Sequence, residues 1–367
     1  MKVNQFDPFL TTEEIKSVIG TIQDNWITEG KKTAQLQEML QNYCNVKHVI
    51  MLPNGTMALY VALKIVGIGP GDEVIVPAFT FIGSATSVTL TGAKPVFCDV
   101  NLDDFNMNTE NLKKCLSPRT KVIMPVHIYG QAVKKMDQVM AIAKDKKLLI
   151  VEDAAQGLGT TFGRQHVGTF GEVGCISFYA DKTITMGEGG ALLTNDDVLA
   201  DRCRYFKNQG RLNRGSFIHP QMGFNFRITD LQAAIGVIQM KKLKMIINRK
   251  AQNESLYKKF LKDCSHVKFP VNTKVGKRVP FRINILVDNP ENLGNFLSEK
   301  GVGVRRFFYP LNLQPCFNNN NSVRLDPCQN AFRIFEQGLS LPSGVGLKEK
   351  QIQYVCNHIK RYYSKKK

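Results

Sequence analysis

The sequence predicts an α/β protein, with a large domain on a mostly parallel sheet followed by a smaller α+β domain. Residues 47–195 alternate short apolar runs with amphipathic segments, the order of successive βαβ units. The apolar runs are nearly continuous in Val, Ile and Leu, as strands covered on both faces require. Beyond residue 195 this rhythm stops, and a long helical stretch leads into a mixed segment. At 367 residues the chain has room for two cores, here divided as 1–240, with an N-terminal arm, and 241–367.

In order, His48-Val49-Ile50-Met51-Leu52 reads as a strand, residues 56–66 as a helix and Gly69-Pro70-Gly71-Asp72 as a turn. Val74-Ile75-Val76 is the next strand, then come a helix through Ser84-Ala85-Thr86-Ser87-Val88 and the strand Pro95-Val96-Phe97. A helix over 110–115 precedes a strand over 121–126, and a helix over 136–143 precedes Leu148-Leu149-Ile150-Val151. Residues 197–206 are helical and 210–226 loop-rich. Thr229, capping through Asp230, opens a helix that runs to about residue 261. A strand over 282–287 and helices over 292–300 and 349–363 complete the smaller domain, and Asn318-Asn319-Asn320-Asn321 reads as a flexible loop. Ligands of parallel sheets gather beyond the carboxyl ends of the strands, so the loops after Leu52, Val76, Val126 and Val151 should frame one crevice.

The composition narrows the partners. A net charge of +18 would attract polyanions. The lysines, such as Lys31/Lys32, Lys113/Lys114, Lys241/Lys242 and Lys365/Lys366/Lys367, are dispersed, and no zinc finger or RNA-recognition signature accompanies them. A nucleic-acid partner is therefore not expected, whereas a nucleotide diphosphate suits the charge. Nine cysteines, an odd count without Cys-x-x-Cys spacing, read as free thiols in a reducing cytoplasm. No apolar run reaches the roughly 18 residues of a membrane span, and no apolar stretch follows Lys2 as in a secretory signal.

Three stretches at one sheet edge carry chemistry. Asn54-Gly55-Thr56 stands between a strand and a helix, where glycine permits a tight turn and unpaired N–H groups can hold an anion. Taken alone, it reads more often as only a helix cap. Glu152-Asp153-Ala154-Ala155-Gln156 follows a buried strand, where an acid needs a cationic partner; a protonated pyridine nitrogen would be one. Neighbours on a strand face opposite ways, so one of Glu152 and Asp153 should enter the crevice. In Ser177-Phe178-Tyr179-Ala180-Asp181-Lys182, continuing to Gly187-Glu188-Gly189-Gly190, one lysine lies between an apolar strand and a glycine-rich turn. Such a lysine is either surface charge or a desolvated amine, usable as a nucleophile toward an aldehyde. Together the three match the needs of pyridoxal 5′-phosphate: phosphate donors in Gly55, Thr56 and Ser177, an acid in Asp153 and an imine-forming amine in Lys182. Phe81 is placed to stack on its ring. His127 reads as a strand-end histidine bonded to backbone.

These stretches, with Gly223-Phe224-Asn225-Phe226-Arg227-Ile228-Thr229-Asp230-Leu231-Gln232-Ala233-Ala234, resemble the DegT/DnrJ/EryC1/StrS family of sugar aminotransferases. The resemblance runs from Trp26-Ile27-Thr28-Glu29-Gly30 to Tyr309-Pro310-Leu311-Asn312-Leu313-Gln314-Pro315. Within the family, Met124-Pro125-Val126-His127-Ile128-Tyr129-Gly130-Gln131 and the Asn225 stretch look most like the GDP-perosamine synthases and related 4-aminotransferases. The resemblance implies a fold-type I homodimer with a seven-stranded sheet and composite sites. Lys182 would carry the cofactor and move protons between Cα and C4′. Asp153 would meet the ring nitrogen, Gln156 the phenolic oxygen, and Asn225 would arrive from the other subunit. L-glutamate would supply the amino group and a nucleotide-linked 4-keto-6-deoxyhexose would take it. A 3-keto sugar and a catalytically idle regulator are the alternative readings. Dehydratases on this scaffold carry His in place of the lysine, so Lys182 speaks against that reading. Two positions depart from the family pattern: Asn312, where many relatives have His, and Asp181, where some have Asn.

Overall fold

The computed structural model describes residues 1–211, 215, 217–272, 275–318 and 327–364. The central sheet contains β1 (His48–Leu52), β2 (Glu73–Pro77), β3 (Lys94–Cys98), β4 (Thr120–Ile123) and β5 (Leu149–Asp153). A small hairpin of β6 (Thr161–Phe162) and β7 (Gln165–His166) separates these from β8 (Val173–Ser177) and β9 (Gly190–Thr194). The seven strands lie in the order β1-β9-β8-β5-β4-β2-β3. Six run parallel, and β9 alone opposes its neighbours β1 and β8. The mostly parallel sheet read from the sequence is thus present, although β9 was not among the expected strands.

Adjacent residues along each strand feed different cores, which is why the strands are apolar throughout. Val74, Val76, Val122 and Val151 pack with Ala58, Leu59 and Ala62 of the helix Gly55–Ile65. Ile75, Ile123 and Ile150 pack on the opposite face with Leu112, Met136 and Val139, from the helices Thr109–Cys115 and Met136–Lys146. β4 is shorter than expected. Regular pairing ends at Ile123, and Pro125 has no N–H to donate, but Met124 N still donates to Ile75 O, Pro125 O accepts from Asp153 N, and Val126 makes one bridge with Asp153.

A second, antiparallel sheet contains β10 (Ile283–Leu286), β11 (Arg305–Arg306) and β12 (Gly338–Leu341), with β12 in the middle. Its core joins Ile283 and Leu341 with Leu293 and Leu297 of the helix Pro290–Glu299 and Ile352, Val355 and Ile359 of the helix Glu349–Ser364. Val3, at the opposite end of the chain, packs into the same core. The helix Asp230–Phe260 is capped by Thr229 with Gln232, not through Asp230. The Asp230 carboxylate turns to another helix, accepting from the amides of Gly30, Lys32 and Thr33 at 2.8–3.0 Å. It thereby caps the helix Lys31–Cys44, whose own N-cap, Gly30, has no side chain to do so. Asn318 closes a short helix, Pro315–Asn318, and Asn319, Asn320 and Asn321 lie outside the described residues. Among the described residues no helix is long and apolar enough to cross a membrane.

The helix Thr12–Gln23 has an inverted pattern, burying Glu14 and Thr21 while Ile15, Ile19 and Ile22 stay exposed. Glu14 accepts from Lys242 at 2.9 and 3.0 Å, Gln239 at 2.8 Å and the Thr11 amide at 2.8 Å. Burial opposes its ionisation, but those hydrogen bonds prevail and hold its pKa at about 2, below the ordinary 4.5. A carboxylate depressed in this way stabilises above pH 4.5 and loses its contribution as pH falls towards 2. A shift of that size corresponds to about 3 kcal/mol. Solvent screening reduces the expected loss in Glu14→Gln to about 2 kcal/mol at neutral pH. Denaturant titrations should show the gap closing between pH 4.5 and 2; a gap unchanged across that interval would contradict the assignment.

Candidate active site

The first wall of the site is the start of the helix Gly55–Ile65. Asn54 Oδ1 accepts from the Met57 amide at 2.9 Å, and Asn54 O accepts from Ala58. Among the described residues this leaves the amides of Gly55 and Thr56 without acceptors, an anion site in waiting. A Cβ on Gly55 would stand 2.9 Å from Ser177 Cβ and 3.2 Å from its Oγ, so glycine is what lets Ser177 reach the helix start. A Cβ on Gly190 would stand 2.4 Å from Asn54 O, so β9 also needs glycine at this approach. Thr56 Oγ1 borders Gly83 at the start of the helix Gly83–Thr89.

Strand parity separates the two acids at the end of β5. Asp153 has the parity of Val151 and faces the side of the Gly55 helix, where Oδ2 accepts from Ser84 Oγ at 2.7 Å and Oδ1 from the Ala155 amide at 3.0 Å. Thr80 Oγ1 lies 3.2 Å from Ser84 Oγ and extends the chain of hydroxyls. Glu152 faces the other way, accepting from the amides of Gly168, Phe170 and Gly171 at 2.6–2.9 Å and pairing with His127 Nε2 at 2.9 Å. His127 Nδ1 accepts from the Val133 amide at 3.3 Å, so the ring is built into the fold. Gln156 Oε1 accepts from the Tyr129 amide at 2.7 Å, and among the described residues its side-chain nitrogen has no partner.

Lys182 sits in the turn joining β8 to β9, which is closed by hydrogen bonds from Lys182 N to Tyr179 O and from Met186 N to Phe178 O. Its Nζ lies 4.6 Å from the centre of the Phe281 ring and makes no hydrogen bond or ion pair among the described residues. Burial pushes its pKa down; the charges of Asp181 and Asp153 pull it back up, and Arg282 adds to the depression. Asp153 and Lys182 are thus brought within electrostatic reach of one another. Phe281 is fixed from beneath by Tyr129 and Gly130, whose carbonyls accept from the Phe281 and Val279 amides at 3.2 and 3.3 Å. Tyr129 adopts φ 53° and Gly130 φ 74°, and a Cβ on Gly130 would lie 1.8 Å from Val279 O.

Phe81 is 57% exposed, its ring edge-on to Phe308 at 6.1 Å. Asn225 is exposed, and no side-chain hydrogen bond joins it to the residues above. Asn312 is buried in a loop anchored by the bond from Leu311 N to Ala78 O, and its Oδ1 has no partner among the described residues. Asp181, the other departure, bonds to Arg282 at 2.7 Å. The sequence reading missed Ser84 and Arg282. The spacing of Thr80 and Ser84 across the start of a helix was a signal for the first; nothing local to residue 282 indicated the second.

Helix-start amides and a partly buried amine, both without partners among the described residues, together with an oriented carboxylate meet the needs of a phosphorylated aldehyde on a basic ring. The family model for the DegT/DnrJ/EryC1/StrS aminotransferase family matches residues 8–360. The chain is 34% identical to GDP-perosamine synthase of Escherichia coli O157:H7, covering 98% of each chain, and 35% identical to GDP-perosamine synthase of Caulobacter vibrioides, covering 95% of each. The crystal structure of a DegT DnrJ EryC1 StrS aminotransferase from Brucella abortus superposes with a TM-score of 0.88 at 31% identity, over 96% of this chain and 95% of that one. The chain therefore belongs to the DegT/DnrJ/EryC1/StrS aminotransferase family, a fold-type I enzyme whose cofactor is pyridoxal 5′-phosphate.

Proposed function

We propose that this aminotransferase moves an amino group from L-glutamate to the keto group of a nucleotide-linked 4-keto-6-deoxyhexose, giving a 4-amino sugar of the perosamine or viosamine type. The observation that carries the reading is the amine of Lys182, unpaired among the described residues and within electrostatic reach of Asp153, on the turn that follows Ser177 at the start of the Gly55 helix. Similarity to two GDP-perosamine synthases over nearly their whole length supports the substrate class. A 3-keto nucleotide sugar is the second reading.

Bound pyridoxal phosphate supplies an aldehyde for amines and a ring that draws electrons from the carbon losing its proton. Gly55, Thr56 and Ser177 would hold its phosphate, Gln156 its phenolic oxygen and Asp153 its ring nitrogen, with Phe81 against the ring face. Ser84 orients Asp153, so the carboxylate needs no rearrangement to keep that nitrogen protonated. Lys182 gives the attacking amine, then takes and returns a proton as general base and acid. Its desolvated setting favours the neutral, nucleophilic form. Asn225, exposed in one copy, would complete the phosphate site of a second copy in a homodimer. The charge of +18 speeds encounter with a nucleoside diphosphate. Both substrates suit a cytoplasmic site of action. In this reading residues 1–240 hold the cofactor, and residues 241–367 contribute Phe281 and Arg282 to its rim.

Keto-deoxy sugars on GDP, UDP and dTDP, offered with L-glutamate, should give one favoured amino sugar by mass spectrometry, with the amine at C4 by NMR; amination at C3 would favour the second reading. Lys182→Ala and Asn225→Ala should each be inactive alone, and mixing their protomers should restore one intact site per heterodimer. Full activity of Lys182→Ala would overturn the mechanism, and no recovery on mixing would overturn the shared site. Gly55→Ala places a methyl group against Ser177, and losing one hydrogen bond to a charged group costs about 1.5–3 kcal/mol. Cofactor affinity, read by absorbance titration, should then weaken roughly ten- to hundredfold; unchanged affinity would exclude this phosphate site.

A further inference from the structure

Beside Lys182 lies a buried ion pair that the reaction above does not employ. Arg282 Nη2 donates to Asp181 Oδ2 at 2.7 Å, and both side chains are only 6% exposed. Arg305, half exposed on β11, approaches the same oxygen at 3.6 Å. The Arg282 guanidinium stands 5.0 Å from the centre of the Phe281 ring, the ring that also carries the Lys182 amine at 4.6 Å. Lys250 lies 5.9 Å from that ring and donates to Phe281 O at 3.2 Å. The charged groups facing Lys182 are therefore Asp181 from its own turn, Asp153 from β5, Arg282 beside β10 and Lys250 from the long helix.

Asp181 cannot move far from Lys182, because the two are joined by a peptide bond. An unbalanced carboxylate at this place would hold the lysine as an ammonium ion, which is no nucleophile and no base. The fold counters this by fixing that carboxylate on Arg282, so that Lys182 Nζ forms no ion pair among the described residues. The opposite defect, a buried guanidinium without its acid, would suppress the cationic form of the lysine.

We propose that Asp181 and Arg282 act as one positioning unit for Lys182: Arg282 anchors the carboxylate, and the neutral sum of the pair leaves the lysine nitrogen free to gain and lose its proton during turnover. The aspartate at this position is thus tolerated because the arginine answers it. The unit rests on the reading of Lys182 as the residue that carries the cofactor.

The test is a pH titration of the visible absorbance of the holoenzyme, which reports protonation of the nitrogen linking Lys182 to its cofactor. Arg282→Met leaves Asp181 only the half-exposed Arg305 at 3.6 Å, too screened to balance its charge, and the midpoint should rise by roughly one unit or more. Asp181→Asn leaves Arg282 unbalanced, and the midpoint should fall by roughly the same amount. The double variant should return close to the wild-type midpoint. Single variants with unmoved midpoints, or shifts of the same sign, would overturn the proposal, as would a double variant displaced as far as either single one. Where Arg282→Met does not fold, Asp181→Asn decides alone: a lowered midpoint supports the unit, and an unmoved or raised one overturns it. A wild-type protein without cofactor absorbance would overturn both this inference and the functional reading, whereas normal absorbance with unmoved midpoints overturns the inference alone.

Discussion

The structure turns on placing one lysine amine partly out of water, with no acceptor for it among the described residues. An ammonium ion in such a place is costly, and the simplest relief is loss of the proton. What would be a defect elsewhere is here the source of reactivity, and much of the surrounding architecture maintains it. The β8–β9 turn is closed by its own backbone, which fixes where the Lys182 side chain leaves the chain. Phe281 floors the amine with an aromatic face, which tolerates a cation yet accepts no proton from it. That floor is held by backbone bonds from a turn whose left-handed residues, Tyr129 and Gly130, permit close approach to Val279.

The same arithmetic of strand parity that builds two cores also distributes two carboxylates. Because β5 ends in consecutive acids, one had to enter each face. Glu152 is spent on three amides and a histidine, closing the loop 168–171 against the sheet. Among the described residues Asp153 has a hydroxyl and one amide as partners, so its charge remains available to a cation. One is structural and the other is disposed toward chemistry, a difference that follows from their order in the chain.

The parallel part of the sheet was legible because its strands are short, apolar and separated by helix-length segments. The stretches around Gly55, Asp153 and Lys182 were legible because parallel strands deliver their carboxyl ends to one edge. The two helices before residue 48 were not read, and the first has a physical reason. It buries Glu14 and shows its isoleucines, so its apolar period points away from the core. β9 was hidden because Gly-Ala-Leu-Leu-Thr follows a glycine-rich turn and pairs antiparallel, outside the βαβ rhythm. Arg282 was illegible for a different reason. Its partner, Asp181, lies 101 positions away, and only the folded chain shows that the departure at 181 is balanced. The exposed Asn225 is a third case, since a residue that would serve a neighbouring copy leaves no trace in the contacts of its own.

The most direct trial of the amine's role is chemical trapping. The holoenzyme is reduced with borohydride, digested, and searched by mass spectrometry for the lysine that bears the reduced cofactor. The account predicts a single modified peptide, carrying the label on Lys182. A label on Lys250, the buried lysine on the same Phe281 ring, or a reduced protein with no label at all, would contradict it.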